Sequence, residues 1–341
     1  RLSSQAKLKH NFLSILHFNC RSAKSFINKF TEISAEIYQY SSLLVCVTET
    51  WLTSSSALNL YKIDGYVSYF NNRKTKGGGG VMTLVKSETF SRQLLCAETP
   101  NEAFNICAVV IGNGVNQTLV VTVYRAPWAT VGDTNEMCCI LDDLITKHKR
   151  IVLVGDFNLA SSSTGASTMV YNIANAHSLN QIANAPTRCN SLLDLVFVSA
   201  HYTRGDVINI PPIAGSDHSG QLIKLPAMRG LVSIKLRKSI DYDQLSSLLY
   251  ELNWDALFAN CINAEGYASV FTTSLSNAIN ACTTYKTVCK RKRLPKHIVQ
   301  LIKAKRKRWE AAKISKDFTA YKKARSIARA AIRSHRRNVE N

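Results

Sequence analysis

"HKRIVLVGDFNLAS", residues 148–161, holds the pattern from which the architecture is read. Residues 151–154 are a short, mostly β-branched apolar run closed by Gly155, as in a strand buried on both faces. Asp156 and Asn158 follow at once, so the strand delivers a carboxylate at its end. An isolated ionised carboxylate is costly to bury. Asp156 therefore belongs in a wet cleft or beside a cation, and what stands opposite it defines the chemistry.

The same texture recurs on either side. Strand-like runs lie at 13–19 (LSILHFN), 43–49 (LLVCVTE), 80–86 (GVMTLVK), 104–111 (FNICAVVI), 118–124 (TLVVTVY) and 193–199 (LDLVFVS). Apolar residues at three-to-four spacing predict helices over roughly 25–40 and 134–148. Many strands, some alternating and some wholly apolar, imply two packed sheets covered by helices.

With 341 residues and 46% hydrophobic composition the chain can bury a substantial core, which excludes wholesale disorder. Its longest apolar runs, such as SLLVCV, fall far short of a membrane span. The start, RLSSQAKLKHN, has neither an initiator Met nor an apolar signal region, as in a piece of a longer product. Ten cysteines are scattered without zinc-finger or CxxC spacing, so reduced thiols in an intracellular protein are expected.

Charge divides the chain sharply. Residues 290–341 carry 19 Lys+Arg against 3 Asp+Glu, a net +16 of the total +20. A nearly balanced body thus bears a strongly basic tail, suited to a polyanion through counterion release. The texture also changes after KLPA (224–227). Residues 240–285 look helical, with Leu245, Leu248, Leu249 and Leu252 in a stripe. Pro295 fits the first turn of a helix bearing Ile298, Leu301, Ile302 and Trp309. A further helix carries Phe318, Tyr321, Ala324, Ala328 and Ile332. The expected organisation is a domain over 11–226, a helical connector over 227–289 and a basic helical tail over 290–341.

Polar residues fall repeatedly at strand ends. Asn19 follows SILHF, Glu49 follows LLVCVT, Tyr124 follows TLVVTV, and Asp194 opens LDLVFVS. Asp217 and His218 sit in GSDHSG. Carboxylates, two amides, a tyrosine and a histidine with a possible Asp partner suit phosphate ester cleavage. A divalent metal neutralises oxyanion charge, hard Mg²⁺ prefers carboxylate oxygen, and hydrolysis also needs a base and leaving-group support. His218, oriented by Asp194, could donate hydrogen bonds to developing charge.

The ordered motifs FN, TET, VY, GDFN, LD and SDH resemble the endonuclease/exonuclease/phosphatase family. More closely, NCRS, VTETWL, GGGGVMTLV, VYRAP, GDFN, PTR…SLLDLVFV and GSDHSG are similar to the endonuclease of non-LTR retrotransposons. The resemblance covers roughly 11–226. Residues 240–341 resemble the connector towards reverse transcriptase; no YxDD-like polymerase motif is present.

That resemblance implies an α/β four-layer sandwich, two packed mixed sheets flanked by helices, as in deoxyribonuclease I. It implies a Mg²⁺-dependent DNA endonuclease, with Mn²⁺ a substitute, that nicks target DNA and leaves a 3′-hydroxyl for reverse transcription. Glu49, Asn19 and Asp217 would form the metal set. Asp156 would activate water, Asn158 would bind phosphate, Tyr124 would steady the phosphate or leaving group, and Asp194 would orient His218. Arg21, Arg125, Thr187, Arg73, Lys74 and Lys76 would contact DNA. Arg21 stands where repair relatives carry an acid, and YRAPW lacks their YxPN asparagine; the retrotransposon branch shares both departures. RKTKGGGG (73–80) lacks the GK[ST] of a P-loop and precedes a strand. Implied partners are duplex DNA, the element's RNA on the basic tail and the parent polyprotein's reverse transcriptase. No membrane partner is implied, and the expected location is the nucleus after cytoplasmic synthesis. The competing readings are an abasic-site repair nuclease or phosphatase of the same fold, and an inactive nucleic-acid-binding remnant.

Overall fold

The computed structural model describes residues 12–24, 29–53, 56, 58–74, 77–159, 165–226, 236–259, 261–287 and 294–340. In chain order the first half holds β1 (Phe12–Asn19), α1 (Thr31–Tyr40), β2 (Leu44–Thr48), β3 (Tyr66–Asn71), β4 (Val81–Lys86), β5 (Ser91–Glu98), β6 (Phe104–Ile111) and β7 (Thr118–Arg125). Then come α2 (Val131–Thr146), β8 (Ile151–Asp156), α3 (Gly165–Ala176), β9 (Asn180–Gln181), β10 (Asp194–Val198), β11 (Asp206–Ile210) and β12 (Gly220–Pro226).

These strands form two six-stranded mixed sheets, ordered β11-β12-β1-β2-β4-β3 and β5-β6-β7-β8-β10-β9. Each sheet has one parallel pair at its centre, β1 with β2 and β7 with β8. The expected four-layer sandwich is therefore what forms. Residue parity explains why its strands read as continuous apolar runs. On β8, Val152 and Val154 enter the core between the sheets, while Ile151 and Leu153 enter the core under α2 and α3. On β1, Leu13 and Ile15 face the other sheet, and Leu16 and Phe18 pack with Phe30, Ile33 and Ile37 near α1. Both faces of a central strand are dry, so alternation is lost.

The sequence reading located seven of the strands and two helices, with small differences at the ends. It did not mark β3, β5, β9, β11, β12 or α3. β3 and β5 are flanking strands of middling burial, which weakens their hydrophobic pattern. Helix α2 begins three residues before the expected start because Thr130 caps it. The Thr130 hydroxyl accepts from the Asp133 N–H at 3.1 Å, and the Asp133 carboxylate accepts from the Thr130 N–H at 2.8 Å.

The chain divides into two compact units, Arg1–Ser233 with Arg291–Asn341, and Ile234–Lys290. The smaller unit pairs β13 (Leu236–Ile240) with β14 (Thr283–Thr287) and holds α4 (Tyr242–Glu251), α5 (Trp254–Phe258) and α6 (Ala264–Ala281). Leu245, Ala278 and Cys282 form its small core, with Leu248 and Leu249 against it. The expected helical connector holds these three helices and also a two-stranded ladder. The basic tail forms α7 (Lys296–Ser315) and α8 (Thr319–Glu340), packed on each other and on α1. Pro295 stands just before α7, at its N-cap. Ile298, Ile302 and Ile332 meet Ala35, so the tail's apolar stripe finds its partner within the larger unit. Among the described residues no helix is long and apolar enough to cross a membrane, and the nine cysteines are free thiols.

Gly155 on β8 pairs in register with Val123 on β7. A Cβ there would collide with the Val123 backbone carbonyl oxygen. Gly155→Ala is expected to destabilise the larger unit by about 3 kcal/mol, read as a lowered midpoint in denaturant unfolding.

Candidate active site

The two central parallel pairs end side by side, and their last residues are the polar ones. Asn19 pairs in register with Thr48, one residue before Glu49, and Tyr124 with Asp156, which also faces Asp194 on β10. Asn19, Tyr124, Asp156, Asp194 and His218 are all at most 4% exposed. Their polar atoms must therefore satisfy one another.

Asn19 joins the two sheets. Its amide N–H groups donate to Glu49 Oε1 at 3.0 Å and Asp156 Oδ2 at 2.8 Å, and its oxygen accepts from the Arg21 N–H at 2.9 Å. Asn19 thus spaces the two carboxylates, and its oxygen is the atom left to meet a cation. Trp51 Nε1 donates to the second Glu49 oxygen at 3.1 Å. The Asn158 N–H donates to Asp156 Oδ1 at 3.2 Å, and its side-chain amide to the Arg125 carbonyl at 2.7 Å.

Asp194 forms the second cluster. One oxygen is 3.1 Å from His17 Nε2 and the other 2.8 Å from His218 Nδ1. The Thr187 hydroxyl accepts the Leu193 and Asp194 N–H groups, both at 3.2 Å, and the Thr187 carbonyl accepts from Ser219 N–H at 2.7 Å. Thr187 is 2% exposed and ties the Asp194 segment to the His218 segment. Burial pushes Asp194 up, but the hydrogen bonds and charges of His17 and His218 outweigh it and hold the carboxyl well below the carboxylate range. Burial pushes His218 down, yet the Asp194 hydrogen bond and charge, with Asp156 and Asp217, lift it from the ordinary 6.5 to about 9. Asp156 goes the other way. Burial first, then the Asp194 and Glu49 charges, raise it well above the ordinary 3.8, against His218 and the Asn19 hydrogen bond. Burial, Glu49 and Asp156 likewise raise Tyr124.

Asp156, Asp194 and His218 each offer a ligand atom within 4.8 Å of the others, the one such group among the described residues. A carboxylate as buried and under-compensated as Asp156 fits a neighbouring cation, which would supply the missing charge. Glu49, one amide away, adds a second carboxylate. Asp217 does not join this group. It pairs with Arg188 at 2.9 Å and Arg21 at 3.7 Å on a partly exposed rim.

Of the remaining expected DNA contacts, Arg21 is half-exposed at that rim. Arg125 is buried, with its guanidinium donating to the Thr134 hydroxyl at 2.8 Å and the Ala126 and Ala129 carbonyls at 3.3 and 2.6 Å. It fastens the loop before α2. Arg73 is 2% exposed beneath the site, its guanidinium 5.6 Å from the Tyr124 ring centroid and its Nε without a hydrogen-bond partner. Gly79 lies so close that a Cβ would strike this guanidinium, which gives the glycine run a packing reason. Lys74 is exposed beside Glu98 at 3.2 Å, and Lys76 lies outside the described residues.

His17, Arg188 and the Arg73–Tyr124 contact were not foreseen. His17 alone had a signal, a lone histidine inside an apolar strand two residues before Asn19. Strain marks the same place: Arg21, Glu49, Trp51, Asn158 and Ala214 all have φ between +45° and +56°. Such backbone costs of order 1–3 kcal/mol each and clusters at functional sites.

The endonuclease/exonuclease/phosphatase family model matches residues 16–218. The chain belongs to that family. Solved structures of similar fold include the AP endonuclease LMAP from Leishmania major, 14% identical with a TM-score of 0.53, covering 64% of this chain and 89% of that one. Another is the endonuclease domain of TRAS1, a telomere-specific non-LTR retrotransposon, 15% identical with a TM-score of 0.50, covering 63% and 98%. No curated protein matches. The matched span runs from β1 to His218, so every residue of the two carboxylate clusters lies inside it.

His218 is expected to titrate at about 9 by NMR in the metal-free protein. Its folded value exceeds the unfolded one, so its stabilising contribution is complete below about pH 6.5 and is lost as the pH rises through 9. Asp194→Asn should lower the midpoint, since it removes the charge that most raises it while burial remains; a wild-type midpoint near 6.5 contradicts the pairing.

Proposed function

We propose that the chain is a Mg²⁺-dependent DNA endonuclease that hydrolyses one phosphodiester of a duplex and leaves a 3′-hydroxyl, in the manner of non-LTR retrotransposon endonucleases. The observation that carries this reading is the meeting of Glu49, Asn19, Asp156, Asp194 and His218 at one set of strand ends beside the cationic rim of Arg21 and Arg188. Family membership supports a phosphoester hydrolase. The retrotransposon branch is supported by the motif set of the sequence, and Mn²⁺ is a chemically adequate substitute.

In this reading Glu49 and Asp156 would hold Mg²⁺, which would supply charge neutralisation at the phosphate oxygens. Asp156 orients the attacking water and takes its proton. Asn158, held by the Arg125 carbonyl, donates to a phosphate oxygen. His218 spends Nδ1 on Asp194 and keeps Nε2–H for the developing oxyanion. Tyr124, kept protonated by its raised affinity and backed by Arg73, donates towards the phosphate or leaving oxygen. Arg21 and Arg188 meet flanking phosphates. The reverse transcriptase of the parent polyprotein would then extend the 3′-hydroxyl, on element RNA, in the nucleus.

Nicking of supercoiled plasmid is expected with Mg²⁺ and not with EDTA. Asp156→Ala and His218→Ala should each slow it by about 10²–10⁴-fold. Undiminished cutting by both variants contradicts the site, and faster turnover on abasic duplex or soluble phosphoesters favours a repair nuclease or phosphatase. If the basic tail neutralises about 6–10 phosphates, affinity should fall on the order of 10³–10⁵-fold between about 50 and 200 mM salt. Deleting 286–341 should flatten that dependence; an unchanged slope removes the tail from binding.

A further inference from the structure

The tail's charges fall into two groups. Lys305, Arg329 and Arg333 turn inward to α1: Lys305 pairs with the buried Glu36, while Arg329 and Arg333 both bind Glu32, at 2.9 and 3.1 Å. Arg336 donates to the Thr31 hydroxyl. Lys303, Lys307, Arg308, Lys313, Lys322 and Lys323 remain exposed. A free polycationic tail would not spend three cations, one of them 6% exposed, on two nearly buried carboxylates. Burying such pairs is costly unless packing fixes their geometry, and the Ile298–Ile302–Ile332 contact with Ala35 does so.

This docking also reaches the candidate active site. The Arg329 guanidinium lies against Gly215, where a Cβ would meet its Nη2, two residues before Asp217 and three before His218. Ala214 and Gly215 both take the left-handed conformation, with φ of 50° and 77°, so the turn is set for this close approach. On the other side, Asp217 bridges Arg188 and Arg21, and Lys29 donates to the Arg21 carbonyl. Lys29 lies within electrostatic reach of both Arg21 and Arg329, so among the described residues cations run from Arg188 and Arg21 at the rim through Lys29 to the Arg329 and Arg333 pairs with Glu32 beneath α8.

We propose that the α7–α8 hairpin, locked on α1, forms with Arg21, Lys29 and Arg188 one rigid binding surface for the phosphate backbone of duplex DNA flanking the cleaved linkage. This assignment rests on the reading of the chain as a DNA-cleaving enzyme. A rigid cationic track loses less freedom on binding than a tethered one, and its phosphate contacts act together. Locking also sets the distance between the track and His218.

The sign of one substitution separates a locked surface from a loose tail. Neutralising Glu32 and Glu36 makes the protein more cationic, so electrostatics alone predicts tighter DNA binding. Undocking predicts weaker binding. The full chain in EDTA, where nothing is cut, is titrated with a fluorescent duplex of about 30 base pairs and read by anisotropy, long enough for several phosphate contacts. Glu32→Gln/Glu36→Gln is expected to raise Kd by about tenfold and to lower the salt slope. The charge swap Glu36→Lys/Lys305→Glu should stay within about threefold of wild type, since the pair is rebuilt. Should the double variant fail to fold by circular dichroism, Glu32→Gln alone keeps the Lys305–Glu36 pair and is expected to raise Kd by about threefold. Unchanged or tighter binding by the folded Gln variants overturns the proposal. Loss of affinity for duplex RNA of the same length, but not for DNA, overturns the assignment to DNA. Because cleavage is not needed, a wild-type chain that binds but does not nick defeats the catalytic reading and leaves this outcome separately legible.

Discussion

A carboxylate buried between two apolar sheets must have its charge met by the sheets themselves. Asp194 is 1% exposed on one sheet, and His17 and His218, which hold its two oxygens, come from β1 and the loop entering β12 of the other. Asn19 repeats the device, reaching from β1 to Asp156 on β8. An apolar interface by itself sets no unique register, whereas a half-satisfied polar network is worse than none. The sheets therefore close in the one arrangement that satisfies these groups. The arrangement also gathers carboxylates where cation and phosphate chemistry needs them.

The network sorts the two acids by environment. Asp194 receives two imidazoles and is kept ionised. Asp156, in register beside it, receives an amide and a backbone N–H and has a raised proton affinity. Two carboxyl groups with affinities pushed apart are the usual arrangement for dividing structural and acid–base work. The left-handed residues around them mark where the backbone departs from its preferred basins to bring these groups together.

The same matching of buried charge recurs away from these strand ends. Glu32 and Glu36 lie on the outer face of α1, a place where exposed acids ordinarily stand, yet both are buried under α8 and α7. The helix is thus a hinge plate between the sandwich and the basic hairpin. A segment that composition marks as a basic tail for a polyanion is also packed into the larger unit.

Much of the fold was legible because central strands buried on both faces must be continuously apolar, as in residues 104–111, 118–124 and 151–154. The positions of Asn19, Glu49, Tyr124, Asp156 and Asp194 at strand ends were legible too, since a polar residue closing such a run has few places to go. Short-range pattern could not reveal partners. Arg73 and Arg125 read as surface cations because charge alone looks the same in a dry pocket and in water; only the long-range contacts with Tyr124, Thr134 and Ala129 place them inside. Thr187 reads as a phosphate contact, and only the fold shows its bracket on Asp194. What residue order determined by itself was the two-sheet architecture and the residue types at its strand ends. What tertiary structure decided was which of those groups satisfy one another, because a buried polar group's energy depends on neighbours that lie up to hundreds of residues away along the chain.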